Sequence, residues 1–239
     1  MIINFLTGTL QCAMSGLVQR SDAWFAARKN KLTASNLGAA LGQISWASRV
    51  EALRRARGLS EFKGNAATDW GTAMESVAIS AYTELTGNVV TETGLHTHAE
   101  HTWLAGSPDG LVGVDGLVEV KAPYYRKIVH TSVPIYYWMQ CNAVMEITNR
   151  EWLDYVCWTP DEVAVYRINR DRETFETLLP YYKAFADVIP TDAQEPPQLK
   201  EKRWISELLY TAVRNSVDKT YWTHLNRRDA QPLDVFRVD

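Results

Sequence analysis

Apolar and polar positions along the 239-residue chain change period several times, and the changes mark out its elements. Residues 21–30 place Trp24, Phe25 and Arg28 at helical spacing, and residues 35–41 read as a short helix opened by Thr33 or Ser35. Residues 46–57 are basic and amphipathic, with arginines at 49, 54, 55 and 57, and residues 68–85 form the clearest helical pattern, with Gly87 placed to end it. Period two then takes over. Residues 95–98, 103–105, 110–114 and 117–121 read as short strands separated by turn residues. A helix is expected over 135–145, a second hairpin over 151–158 and 162–168 around Thr159-Pro160-Asp161, and a closing helix over 172–188.

Helices and strands in this order predict an α/β (α+β) fold, with a mixed sheet between helices. Composition shifts after Glu195-Pro196-Pro197, so residues 1–195 are read as one domain and 196–239 as a C-terminal helical extension, with a helix near 202–214.

Composition excludes more than it assigns. Apolar residues make up 46% and charged residues 22%, the balance of an ordinary globular chain. No apolar run is long enough to span a membrane, and the N-terminal segment carries no basic residue ahead of its apolar part; a cytoplasmic protein is expected. Cys12, Cys141 and Cys157 lie too far apart for a disulfide framework or a cysteine metal cluster. A net charge of −3 argues against a protein that coats nucleic acid through bulk positive charge, and leaves room for an enzyme with a local basic groove.

Candidate chemistry sits in Gly106-Ser-Pro-Asp109-Gly and, after eight intervening residues, Glu119-Val-Lys121. Asp115-Gly116 signals a hairpin between the two halves. A two-residue loop pairs 114 with 117 and puts Asp109 on the face opposite Glu119. A three-residue loop with a left-handed Gly116 pairs 113 with 117, and sets Asp109, Glu119 and Lys121 on one face; this is the register expected. Two carboxylates and an ammonium held together are costly without a ligand, and a hard divalent cation such as Mg²⁺, or Mn²⁺ in its place, relieves the repulsion. Such a centre suits phosphodiester hydrolysis. Taken alone, Glu-x-Lys is also a common surface pair on strands.

Further motifs make the pattern specific. Trp24-Phe-Ala-Ala-Arg28, Leu32-Thr-Ala-Ser35, Trp70-Gly-x3-Glu75, the two segments above and Tyr136-Tyr-Trp-Met-Gln140-Cys-Asn occur in the order found in the lambda exonuclease / YqaJ viral recombinase family of the PD-(D/E)xK nuclease superfamily, which the chain resembles over roughly residues 20–145. The resemblance implies a restriction-endonuclease-like core and 5′–3′ digestion of double-stranded DNA ends, leaving a 3′ single strand. It also implies work beside a single-strand annealing protein, and a homo-oligomer in the form of a trimeric ring. It assigns metal binding to Asp109, Glu119 and the Val120 carbonyl, with Glu75 completing the acidic cluster. Lys121 would serve the attacking water, Gln140 would support the site, and Arg28, Ser35 and Ser107 would hold the 5′-phosphate. Alternatives are an endonuclease of the same superfamily and a DNA-end binding scaffold.

Several of these residues have plainer readings. Ser35 can be a helix cap, Arg28 a surface arginine, Glu75 a boundary residue and Gln140 an ordinary helix position. Tyr137 can touch DNA or simply pack. The arginines of 46–57 can bind phosphates or face solvent, and Trp46 can stack at a duplex end or anchor in the core. His96, His98 and His101 are expected to be structural, because no matching third zinc ligand is evident.

Overall fold

A computed structural model describes residues 13–14, 17–60, 64–125 and 127–224. Cys12, most of the N-terminal segment and the tail 225–239 lie outside the described residues. In chain order the elements are β1 (Ala13–Met14), α1 (Asp22–Arg28), β2 (Leu32–Thr33), a 3-10 turn (Ala34–Asn36), α2 (Leu37–Ala40), α3 (Arg49–Ala56) and α4 (Ala66–Thr86). Next come β3 (Val90–Thr91), β4 (His96–Thr97), β5 (Leu104–Gly106), β6 (Gly110–Val112), β7 (Gly116–Lys121) and α5 (Ile135–Thr148). The chain continues through β8 (Trp152–Trp158), β9 (Glu162–Asn169), α6 (Arg172–Val188), α7 (Lys202–Ser216) and β10 (Val217–His224).

Local signals explain the helix ends. The Ser21 side chain caps α1 by accepting from the Trp24 N–H, and Arg28 lies in the last turn, where a cation complements the helix dipole. Asn65 and Thr68 form a reciprocal capping box at the start of α4, and Gly87 ends that helix with φ +74°. Arg57, expected either to bind phosphate or to face solvent, donates to the carbonyls of Val188 and Ile189 at the end of α6. Part of the basic segment is therefore structural.

A six-stranded mixed sheet runs β10-β9-β8-β7-β6-β3, with β7 and β8 parallel and the other neighbours antiparallel. In a second sheet, β1-β4-β5-β2, the strands expected over 95–98 and 103–105 appear as β4 and β5, whereas β1 and β2, two residues each, are too short to leave an alternation. β7 is buried along Gly116 to Val120, and its alternation divides the core. Val118 and Val120 pack with Ala78 and Tyr82 of α4. Leu117 faces the larger core built from α2, α5, α6 and α7. Glu119, in register with Leu117, is thereby directed toward α5.

The hairpin register differs from the expected one. Gly110 pairs with Val118, Leu111 with Leu117 and Val112 with Gly116, so the loop is Gly113-Val114-Asp115 and the left-handed residue is Gly113, at φ +55°. The shift from the expected pairing is by an even number of residues, so the faces are unchanged. Asp109 still falls on the face of Glu119.

Residues 202–224, read as a helical extension, contribute to the same core and sheet. Ile205, Leu209 and Ala212 of α7 are buried in the larger core, and Ser216 accepts a 2.8 Å bond from the Trp138 indole of α5. β10, which composition did not announce, pairs with β9 from Val217 to His224.

Gly116 is constrained by a close approach and not by its φ. A Cβ there would lie within the indole of Trp152, which is itself clamped by the Arg167 guanidinium at 3.7 Å. Gly116→Ala is expected to cost about 1–3 kcal/mol, the usual size of overpacking. Chemical denaturation should show the loss, and adding Trp152→Leu should recover part of it; an unchanged midpoint for the single variant would refute the constraint.

Candidate active site

The hydrogen bonds of β6 to β7 end at Val118, so the outer side of β7 is open beyond that point. Asp109 occupies the opening: its Oδ2 accepts a 2.7 Å bond from the Val120 N–H. A strand residue sends its N–H and C=O out on the same side, so the Val120 carbonyl faces the Asp109 side as well. Glu119 is 2% exposed. Its Oε1 accepts from the Lys121 ammonium and, at 2.6 Å, from the Gln140 amide on α5. Its Oε2 is buried and has no hydrogen-bond partner. Such an orphan is expensive unless a ligand completes it.

The electrostatics of the cluster follow from this geometry. Burial pushes the Asp109 carboxyl well above the usual carboxylate range; Glu119 and Glu75 add to that rise, while Lys121 and the Val120 N–H oppose it. Burial also works against the Lys121 ammonium, but Glu119 and Asp109 outweigh it and hold its pKa above the ordinary value. Lys121 lies 4.9 Å from the centre of the Tyr137 ring, which supports it from α5.

Two hard carboxylates, a strand carbonyl on the same side and an orphaned buried oxygen fit a divalent cation with oxygen preference. Among the described residues no group of three or more His, Cys, Asp or Glu is arranged to hold a metal. Glu75 instead pairs with Arg20, a residue the sequence reading missed. Arg20 adopts φ +66° just before the Ser21 cap, and no motif announces it.

Arg28, Ser35 and Ser107 come together around Trp24. The Trp24 indole donates to Ser107 Oγ at 3.0 Å, and the Arg28 guanidinium lies 4.0 Å over the Trp24 ring and reaches Ser35 Oγ at 3.4 Å. Thr33 Oγ1 is also 3.4 Å from Ser35. Ser35 sits inside the 3-10 turn and caps no helix. Burial pushes the Arg28 pKa down to about 10, and among the described residues it forms no ion pair. Of the histidines, His96 is buried with Nε2 2.6 Å from Thr93 Oγ1, and His98 Nδ1 accepts the backbone N–H groups of Glu100 and His101.

The YqaJ-like viral recombinase domain matches residues 23–151, more than half of the chain. The protein belongs to this family. The YqaJ fold is shared with the alkaline exonuclease LHK-Exo of Laribacter hongkongensis: 28% identity, a TM-score of 0.60, and coverage of 82% of this chain and 100% of that one. A complex of LHK-Exo with dAMP superposes almost as well, at 0.59. Protein D345L of African swine fever virus (isolate Tick/South Africa/Pretoriuskop Pr4/1996) is 29% identical over 162 residues, 54% of this chain and 46% of D345L. The uncharacterized protein R354 of Acanthamoeba polyphaga mimivirus is 26% identical over 163 residues, 60% of this chain and 30% of R354. The chain thus spans less than half the length of these viral relatives.

Burial of Asp109, with the Glu119 charge adding to it, couples this carboxyl to stability. A carboxyl whose pKa is raised by folding stabilises the fold below its unfolded pKa, about 4, and that contribution is lost as pH rises through the folded value. Asp109→Asn keeps an oxygen for the Val120 N–H and removes the charge. In EDTA at neutral pH it should be more stable than wild type by about 1–2 kcal/mol. The gap should close on acidification, in thermal unfolding followed across pH; a variant less stable than wild type at neutral pH would refute the assignment.

Proposed function

We propose that this YqaJ domain is a metal-dependent nuclease that digests double-stranded DNA from a 5′ end. One observation carries the reading. Glu119 Oε2 is buried and unpartnered beside Asp109, while Lys121 and Gln140 already occupy Oε1. Asp109, Glu119 and the Val120 carbonyl would hold Mg²⁺, with Mn²⁺ able to substitute. When bound, the ion would lower the pKa of a water and offset charge on the phosphate under attack.

The chain's own groups supply the rest. Lys121, kept protonated by its two carboxylate neighbours, is placed to orient the attacking water or to neutralise developing negative charge. Gln140 fixes the Glu119 carboxylate so that Oε2 stays directed away from its own hydrogen bonds. Glu75, paired with Arg20, contributes negative charge to the cluster at longer range.

The 5′ polarity rests on Arg28. A partly buried guanidinium that has no carboxylate partner among the described residues, with Ser35 and Ser107 near it, is suited to a terminal phosphate dianion. LHK-Exo is an alkaline exonuclease seen with dAMP, and its likeness over most of this chain supports exonucleolytic chemistry over an endonuclease or a scaffold without activity. By the family resemblance we further infer a homo-oligomeric ring that threads DNA and a single-strand annealing partner that takes up the 3′ strand. No described helix is long and apolar enough to cross a membrane.

Linear duplex bearing a 5′-phosphate should be degraded with magnesium faster than the same duplex bearing a 5′-hydroxyl, and covalently closed circles should survive. Arg28→Ala should erase most of the phosphate preference. Lys121→Ala should slow cleavage by at least about 10²-fold while duplex binding persists. Cleavage of intact circles at low enzyme concentration would replace the exonuclease reading with an endonuclease. Full activity of Lys121→Ala would remove the site assignment.

A further inference from the structure

Trp46, between α2 and α3, is 69% exposed, and it does not serve as a core anchor. Its ring meets Tyr136 at a centroid distance of 5.0 Å and an angle of 89°, a contact that steadies the indole while leaving most of it in solvent. Tyr136 is fixed in turn. A Cβ on Gly38 would lie 2.7 Å from Tyr136 Cβ and 3.2 Å from Ile44, so α2 approaches α5 closely because position 38 has no side chain.

This aromatic pair is continuous with the proposed catalytic centre. Tyr136 lies 4.4 Å from Tyr137, ring to ring, and Tyr137 carries Lys121 at 4.9 Å. Trp46 also borders an opening of about 470 Å³ whose lining includes Ile44, Arg49, Leu199 and Lys202, and no carboxylate. Arg49 is held there by the carbonyls of Ala40 and Pro197, at 2.7 and 2.6 Å, so its charge has a fixed place.

An exposed indole, a second ring behind it and two cations make a surface for a ligand with flat apolar faces and a negative backbone. Paired bases inside a duplex are stacked on one another and cannot offer a face to Trp46; unpaired bases can. We propose that Trp46, backed by Tyr136, is a stacking platform for the unpaired bases of single-stranded DNA adjoining the reacting phosphate, with Arg49 and Lys202 taking the phosphate backbone. The proposal rests on the DNA-hydrolysing reading above, and gives it a site for the strand that is no longer paired.

Anisotropy of a labelled short oligo(dT), measured with the full chain in EDTA so that nothing is hydrolysed, tests it. Trp46→Ala should weaken binding by about tenfold, the scale of one lost base–aromatic stack, and Trp46→Phe should keep most of the affinity. On an abasic strand of equal length, wild type and both variants should bind alike. Lys202→Ala should weaken both ligands equally and flatten the salt dependence. An equal loss on the abasic strand, or no loss on oligo(dT), would overturn the platform. So would unchanged oligo(dT) affinity with altered sedimentation, which would make Trp46 a contact between copies. Hydrolysis assays on the same preparations keep the two readings apart: absence of nuclease activity with Trp46-dependent binding intact sinks only the proposed function, whereas full activity with Trp46→Ala neutral in binding sinks only the platform.

Discussion

The buried carboxylate of Glu119 is the constraint around which the centre is organised. Glu119 lies on a strand buried from Gly116 to Val120, where an ion survives only if neighbours supply hydrogen bonds and opposite charge. Lys121 comes from the same strand two residues on, and Gln140 from a helix that must lie across that face. β6 must also stop early, so that Asp109 can take the Val120 N–H in place of a strand partner. Each requirement fixes another element, and together they account for the arrangement of β6, β7 and α5.

The two side-chain clusters depend on different parts of the fold. Asp109, Glu119, Lys121 and Gln140 belong to the large sheet and its covering helix. Arg28, Ser35 and Ser107 belong to the small sheet and its flanks, with Trp24 as the hub that contacts both Arg28 and Ser107. Ser107 and Asp109 are two residues apart in the turn between β5 and β6, so this turn links the clusters. Under the function proposed above, binding of a strand end would fall to one sheet and bond cleavage to the other.

Much of this was legible in the residues. The helical period of 68–85, the Gly87 stop and the closing helix all left strong local marks, and the short motifs identified the family before any geometry was known; the Asn65 cap, which starts α4 two residues earlier, was not read. Parity alone, not the turn type, put Asp109 and Glu119 on one face, which is why a wrong choice of left-handed glycine did no harm. What stayed hidden had physical reasons. In the second sheet β1 and β2 are too short to show a period, β10 follows α7 without a turn residue, and Arg20 meets Glu75 across a separation that no local pattern encodes. Arg57 was open to both a phosphate-binding and a solvent-facing reading because a sequence does not show that helix carbonyls end beside it.

The strand at 217–224 has a consequence for biosynthesis. It forms the outer edge of the large sheet and directly follows the helix that seals one flank of the core, so neither face is finished until these residues have left the ribosome. During translation the β9 edge remains unpaired and open to other strands. The nascent chain therefore carries β6 and β7 well before it can protect the sheet that holds them.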